Sequence, residues 1–146
     1  MPQHLLDTLG QSDLLKETLW LVKAYLKMSE NLEERDGLLY IEGTDELADG
    51  TFTSLGEGGT LYSEFSINKG KRHGSSIVYW SNGNIAFKAD FEDGECNGDQ
   101  LFYYKNGQMQ SHNKMKNDVR HGICKEYNED GTVVRVIRFE NGEEIK

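Results

Sequence analysis

A repeat of glycines every 24 residues is the feature that most constrains how this chain folds. Glycine occupies positions 50, 74, 98 and 122, and a second set occupies positions 59, 83, 107 and 131. Three further columns keep the same period: turn formers at 70, 94, 118 and 142, mostly aromatic residues at 55, 79, 103 and 127, and apolar residues at 67, 91, 115 and 139. Five columns in register without a gap indicate four tandem units.

Each unit predicts a β-hairpin. Asn82-Gly83 and Asn106-Gly107 stand between apolar runs, which is the strongest short-range signal for a tight hairpin turn. Between Ile85 and Phe91 apolar residues alternate with charged ones, as expected for a half-buried antiparallel strand. The four units therefore predict eight strands in one elongated, twisted sheet of stacked hairpins. Their boundaries are 50–73, 74–97, 98–121 and 122–146.

Residues 1–49 predict a helical cap and an acidic connector. Apolar residues recur at helical spacing from Ser12 to Glu34, with Ser12 as the N-cap and Gly37 as a left-handed C-cap. Residues 38–41 predict a ninth strand. A helix over the first strand would cover the unpaired backbone groups of the sheet edge. The predicted fold is thus mainly β with an N-terminal α-helical cap, an α+β arrangement.

The net charge of −9 is concentrated before the repeats. Residues 1–49 contain 11 acids and 4 bases, and most of the excess lies between Glu30 and Asp49. Such a surface disfavours nucleic acid and anionic membranes and speeds encounter with a basic partner. The alternative is a solvated face that is acidic for solubility.

Adjacent aromatic residues give a second candidate surface. Tyr79 and Trp80 must point to opposite faces of their strand, as must Tyr103 and Tyr104. One aromatic column is therefore core and the other is a candidate partner surface, unless both faces are buried. The predicted partner-binding residues are Glu42, Asp45, Glu46, Asp49, Tyr62, Trp80 and Tyr104.

No catalytic or cofactor chemistry is predicted. The sequence contains no nucleophile elbow, phosphate-binding loop or dinucleotide fingerprint. His73 and His121 stand in a column with Asp49 and Asn97, so a turn role explains them better than a metal. The two cysteines form no zinc or disulfide pattern. We therefore expect a protein that is not an enzyme and holds no metal or cofactor.

The sequence predicts neither a membrane span nor a signal peptide. No run of 18 apolar residues occurs, which predicts no membrane span. The first residues have neither a basic flank nor an apolar core and do not read as a signal peptide. The expected location is the cytoplasm.

The unit from Tyr79 to Ile85, which continues from Phe91 to Gly98, resembles the bacterial variant of the MORN repeat. Residues 102–109, and 127–131 with 139–142, follow the same pattern of aromatic residue, glycine turn and short strand. The resemblance covers residues 50–146. The first copy departs from it, because Leu55 replaces the aromatic residue and extra glycines alter its turn.

Bacterial proteins with such repeats resemble YwqK-type antitoxins. The resemblance implies an immunity protein that binds a cognate toxin and occludes its active site, and the acidic segment suits a basic toxin such as a nuclease. The alternative function is a structural scaffold or lipid-associated adaptor. The exposed edge of the last hairpin is also a candidate for pairing in a homodimer.

Overall fold

A computed structural model describes residues 32–56 and 61–146, and within these ranges the chain forms strands and no helix. β1 and β2 make a separate two-stranded sheet. The other strands form one antiparallel sheet in the order β12-β11-β10-β8-β7-β6-β5-β4-β3, with β9 paired to β8. The strands are β1 (Leu32–Arg35), β2 (Leu38–Ile41), β3 (Gly50–Leu55), β4 (Leu61–Asn68), β5 (Lys71–Tyr79), β6 (Ile85–Glu92), β7 (Glu95–Tyr103), β8 (Met109–Lys116), β9 (Val119–Arg120), β10 (Gly122–Tyr127), β11 (Val133–Glu140) and β12 (Glu143–Ile145).

The predicted stacked hairpins are confirmed. The turn between β5 and β6 is closed by hydrogen bonds from Trp80 N to Asn84 O at 2.8 Å and from Gly83 N to Trp80 O at 2.9 Å. The next repeat uses the same two bonds, from Tyr104 N to Gln108 O and from Gly107 N to Tyr104 O. The 24-residue period of the sequence is therefore also the period of the folded hairpins.

The predicted helical cap is wrong. Residues 12–31 of that prediction lie outside the described residues, but Leu32–Arg35 is a strand, and it pairs with Leu38–Ile41. Asp36 and Gly37 both have positive φ, 52° and 79°. A helix C-cap needs positive φ only at the glycine, whereas a type I′ hairpin turn needs it at both residues. Asp-Gly therefore closes a hairpin here, and β2 is a strand outside the main sheet.

A second set of turns lies between successive hairpins, where β4 leads into β5 and β6 leads into β7. Lys69-Gly70 and Asp93-Gly94 have positive φ at both residues, as a type I′ turn requires. We call these turns, together with Asn117-Asp118 and Asn141-Gly142, the tip turns. Their second residues donate backbone hydrogen bonds to the carbonyl 22 residues earlier, with acceptors at Ala48, Arg72, Cys96 and Arg120 and lengths of 2.8–3.0 Å. The tip turns thus stack in a ladder of their own.

The core lies on the inner face of the main sheet. Phe87 and Phe102 pack there with ring centroids 5.0 Å apart, and Val78 beside them is fully buried. The guanidinium of Arg72, next to a tip turn, lies 4.6 Å from the ring centroid of Phe65. Arg120, in the same repeat column as Arg72, lies 4.9 Å from the ring centroid of Phe139 on the following hairpin. Buried arginines next to the tip turns therefore pack on aromatic residues of the inner face.

Candidate protein-binding surface

The acidic loop, residues 42–49 between β2 and β3, is the first candidate surface. The carboxylates of Glu42, Asp45, Glu46 and Asp49 are all on exposed residues. The backbone of the loop is nevertheless fixed, because Ile41 N donates to Glu46 O at 2.9 Å and Ala48 N donates to Leu39 O at 2.9 Å. Ala48 O in turn accepts from Gly70 N, which ties the loop to the first tip turn.

Arg35 is the basic residue that organises this loop. Its guanidinium lies 2.9 Å from Asp45 Oδ1 and 3.3 Å from Glu33 Oε1, and it stacks 3.9 Å from the ring centroid of Tyr40. It also donates to Thr44 O. The Asp45 carboxylate raises the pKa of Arg35. Because the Asp45 side chain is 97% exposed, this pair positions the loop and contributes little to stability.

The three aromatic residues predicted to bind a partner are packed within the fold. Trp80 is only 5% exposed, and its indole Nε1 donates to Tyr103 O at 3.1 Å. Tyr104 is half-buried and donates to Tyr127 O at 2.7 Å, and burial raises its pKa. Tyr62 is half-buried and packs against the core. The structure therefore leaves the four acidic residues exposed and these three rings wholly or partly buried.

The outer face of the sheet carries a row of opposed residues that sequence reasoning missed. The row crosses seven strands from β4 to β11 and consists of Glu64, Ile77, Lys88, Leu101, His112, Lys125 and Val136. On β7 and β8, Asp99 Oδ1 accepts from His112 Nε2 at 2.8 Å and from Lys114 Nζ at 2.7 Å. These two partners lower the pKa of Asp99. The residues of the row recur every 24 positions in the sequence, but only the register between neighbouring strands shows that they lie opposite one another.

The outer face becomes apolar and exposed at the last hairpin. Ile123 on β10 is 51% exposed, and Val134 and Val136 on β11 are each 58% exposed. Leu55, at the opposite end of the sheet, is 66% exposed. The run Val133-Val134-Arg135-Val136 was the available sequence signal for this feature.

The cysteine side chains are buried, and His121 takes part in a turn. Burial, with Asp118 and Asp90 nearby, raises the pKa of Cys96 to about 12, and burial also raises the pKa of Cys124. His121 Nδ1 accepts from Asn141 N at 3.2 Å, beside a tip turn. In the described parts of the chain no group of three His, Cys, Asp or Glu residues is placed to hold a metal ion. The same parts contain no helix with the length and apolar character that a membrane span requires.

Three consecutive segments of the chain, residues 72–93, 97–117 and 120–141, match the family model described as the MORN repeat variant. These segments are MORN-variant repeats. Each one ends at the first residue of a tip turn, Asp93, Asn117 or Asn141, where φ is 47–50°. One MORN unit thus runs from just after one tip turn into the next. Residues 50–71, within the first predicted copy, lie outside the matched segments.

Other comparisons add little. No curated protein matches the chain. One matching solved structure is described as "Crystal Structure of TarM", with 13% identity and a TM-score of 0.46 over 99% of this chain and 27% of that one. This chain therefore spans about a quarter of that protein, and the likeness is too slight to bear on function.

Proposed function

We propose that this chain is a non-catalytic MORN-repeat scaffold that binds a basic protein partner through the acidic loop. The observation that carries the proposal is the combination of four exposed carboxylates with a backbone fixed by hydrogen bonds to β2 and to Gly70. A preformed loop loses little conformational entropy when it binds. Its negative charge accelerates association with a positively charged protein.

The side chains that could perform chemistry support a non-catalytic role. The Cys96 thiol, with its pKa near 12, is the opposite of an activated nucleophile, which needs a lowered pKa. The imidazole of His112 is engaged by Asp99 on the outer face of the sheet, where Lys114 shares the same carboxylate oxygen. That arrangement is an exposed ion-pair network, which is worth little beyond local ordering.

A more specific form of the proposal is an immunity protein whose partner is a toxin domain. Two features support it: the MORN-variant repeats and the acidic loop, which suits a basic toxin such as a nuclease. Binding of this kind would occlude the toxin active site without any reaction on this chain. Cytoplasmic location is part of this form of the proposal, because an immunity protein must meet its toxin inside the producing cell.

The role of the acidic loop in binding can be tested by reversing charges on residues that do not hold the loop in place. Asp45 and Asp49 hold structural contacts, to Arg35 and to Lys69 N, so Glu42→Lys and Glu46→Lys are the better substitutions. Glu143→Lys and Glu144→Lys on β12 form the matched control, with the same change in net charge at the other end of the sheet. The partner is the product of the neighbouring toxin gene, co-expressed and then purified.

At low salt the loop variant should associate with the toxin at least about tenfold more slowly than the control variant, because steering depends on local charge. Equal rates for the two variants would remove the acidic loop from the mechanism. Failure of co-expression to protect cells would refute the immunity form and leave the scaffold form standing. Flotation with anionic vesicles distinguishes a lipid-associated adaptor, which the net negative charge disfavours.

A further inference from the structure

Asparagine followed by glycine occurs four times in the chain, at residues 82–83, 97–98, 106–107 and 141–142. This pair is prone to spontaneous deamidation, because glycine has no side chain to shield its backbone nitrogen from the preceding carboxamide. Asparagine counts among the thermolabile residues of proteins. The reaction requires the carboxamide to rotate until its Cγ meets that nitrogen. The hydrogen bonds of each carboxamide therefore decide which of the four sites can react.

Three of the four carboxamides are held in place. Asn82 and Asn106, in hairpin turns, each donate from Nδ2 to a backbone carbonyl of the following repeat, at 2.8 and 3.0 Å. Their Oδ1 atoms accept from the backbone N two residues further on, both at 2.9 Å. Asn97 lies within β7 and donates to Asn117 Oδ1 at 3.0 Å. Rotation of these side chains must first break one or two hydrogen bonds.

Asn141 differs from the other three sites. It is exposed, and its side chain makes no hydrogen bond with the described part of the chain, where only its backbone N is engaged, by His121 Nδ1 at 3.2 Å. It begins the last tip turn with φ of 50°, followed by Gly142 at 87°. Asp93 and Gly94 form an internal tip turn with φ of 50° and 88°. An aspartate therefore fits the same position of the turn, and the carboxamide of Asn141 is unrestrained.

We propose that Asn141 is a site of spontaneous modification, where asparagine converts to aspartate and isoaspartate with water as the co-reactant. The Gly142 N first leaves Arg120 O, to which it donates at 2.8 Å. It then loses its proton to hydroxide and attacks Cγ of Asn141, so that an N–Cγ bond forms and the Cγ–Nδ2 bond breaks. The departing nitrogen takes up a proton from water and leaves as ammonia. Water opens the resulting succinimide at either carbonyl, which adds one negative charge to the last tip turn.

Peptide mapping of aged protein tests the proposal. The full chain is held folded in warm, mildly alkaline buffer, digested at acid pH and analysed by mass spectrometry, which detects a gain of about 1 Da for each event. Asn141 should deamidate at least about fivefold faster than each of the other three sites. In denaturant the four rates should converge to within about threefold, because the contacts that separate them are lost. A rate at Asn141 no higher than at the other sites in the folded chain, or a spread that persists in denaturant, would overturn the proposal.

Asp93→Asn provides the matched variant, because it creates an Asn-Gly pair in an internal tip turn. The Asp93 side chain is exposed and makes no hydrogen bond with the described residues. Its glycine is held as the last one is, since Gly94 N donates to Arg72 O at 2.8 Å. Asparagine already stands at this repeat position at residues 117 and 141, so the variant should fold, and circular dichroism checks that it does.

The asparagine introduced at position 93 should deamidate within about threefold of the rate at Asn141, and faster than the two hairpin-turn sites, because its carboxamide is equally free. A rate as slow as that of the hairpin-turn sites would show that release of the carboxamide is not the cause, and the proposal would fall. Neither measurement depends on the acidic loop, so both are separate from the test of toxin binding.

Discussion

The hydroxyl of Tyr104 donates a 2.7 Å hydrogen bond to the backbone carbonyl of Tyr127, which lies 23 residues further along the chain. The indole of Trp80 makes the equivalent bond to the carbonyl of Tyr103, again 23 residues on. Asn82 and Asn106 add parallel bonds to Lys105 O and Glu129 O. The first and second MORN units are thus each tied by side chains to the unit that follows, in addition to the strand pairing.

Removal of the Tyr104 hydroxyl should weaken this link between repeats. We expect Tyr104→Phe to lower the free energy of unfolding by about 1 kcal/mol, because a half-buried carbonyl loses its partner while the ring is kept. Tyr103→Phe is the control, since that hydroxyl makes no hydrogen bond within the described residues, and it should change stability by less than about 0.5 kcal/mol. Urea unfolding measures both. Equal effects would show that the bond contributes nothing.

Packing of the β1–β2 hairpin on the first tip turn should make Gly70 less tolerant of substitution than Gly94. Both have similar positive φ, 82° and 88°, so alanine is strained at each. At Gly70 an added Cβ would also lie 2.8 Å from Leu47 Cδ2 and 3.1 Å from Leu39 O, whereas at Gly94 its nearest neighbour is Lys71 Cβ at 3.9 Å.

Gly70→Ala should therefore destabilise the chain by about 1 kcal/mol more than Gly94→Ala. Thermal or urea unfolding of the two variants provides the comparison. The same loss in both would mean that the hairpin does not hold its place against the tip turn.

The Asp99 carboxylate should contribute to acid sensitivity. His112 and Lys114 lower its pKa in the folded state, so the folded protein binds fewer protons at this site than the unfolded chain. This contribution to stability is present above the unfolded pKa of about 4 and is lost as the pH falls through the folded value.

Asp99→Asn should accordingly flatten the decline in stability below about pH 4, measured by urea unfolding across the acid range. Glu64→Gln on β4 removes one carboxylate from the same outer face and serves as the control. The idea fails if the Asp99→Asn and unmodified chains lose stability in parallel.

The Cys96 thiol should be protected from alkylation in the folded protein. It is 1% exposed, and its pKa of about 12 leaves little thiolate at neutral pH. Labelling with iodoacetamide should be slow in buffer and rapid in denaturant, with a rate that follows unfolding. Mass spectrometry of digested protein separates Cys96 from Cys124. Fast labelling of Cys96 in the folded chain would contradict the buried placement.

Local rules explain which parts of the fold were predictable. Asn82-Gly83 and Asn106-Gly107 specify hairpin turns because few residues besides glycine accept positive φ without strain. Asp36-Gly37 was misjudged although the same rule applies, because the apolar spacing before it also suited a helix. A short apolar run does not distinguish a strand from a helical segment until its partner is known.

Only part of the candidate surface could be predicted from the sequence by the same reasoning. The acidic residues of the loop were visible as a charge run, and the structure adds that Asp45 and Asp49 also hold the loop in place. Trp80 and Tyr104 were chosen as exposed anchors because alternation shows that neighbours face opposite sides. It does not show which side is covered, and here Trp80 is buried and Tyr104 half-buried, each with a hydrogen bond to the following repeat.

The sequence by itself determined the 24-residue period, the positions of the hairpin turns and the alternation of the strands, because these depend on backbone preferences and spacing within a few residues. Only the tertiary structure decided that the tip turns stack in a ladder, that a hairpin lies against the first of them, and that Val134 and Val136 are exposed on β11. The first two features arise from contacts between residues 22 or more positions apart, and the third from the position of β11 near one end of the strand order. Burial at such sites depends on what packs against a residue rather than on the residue itself.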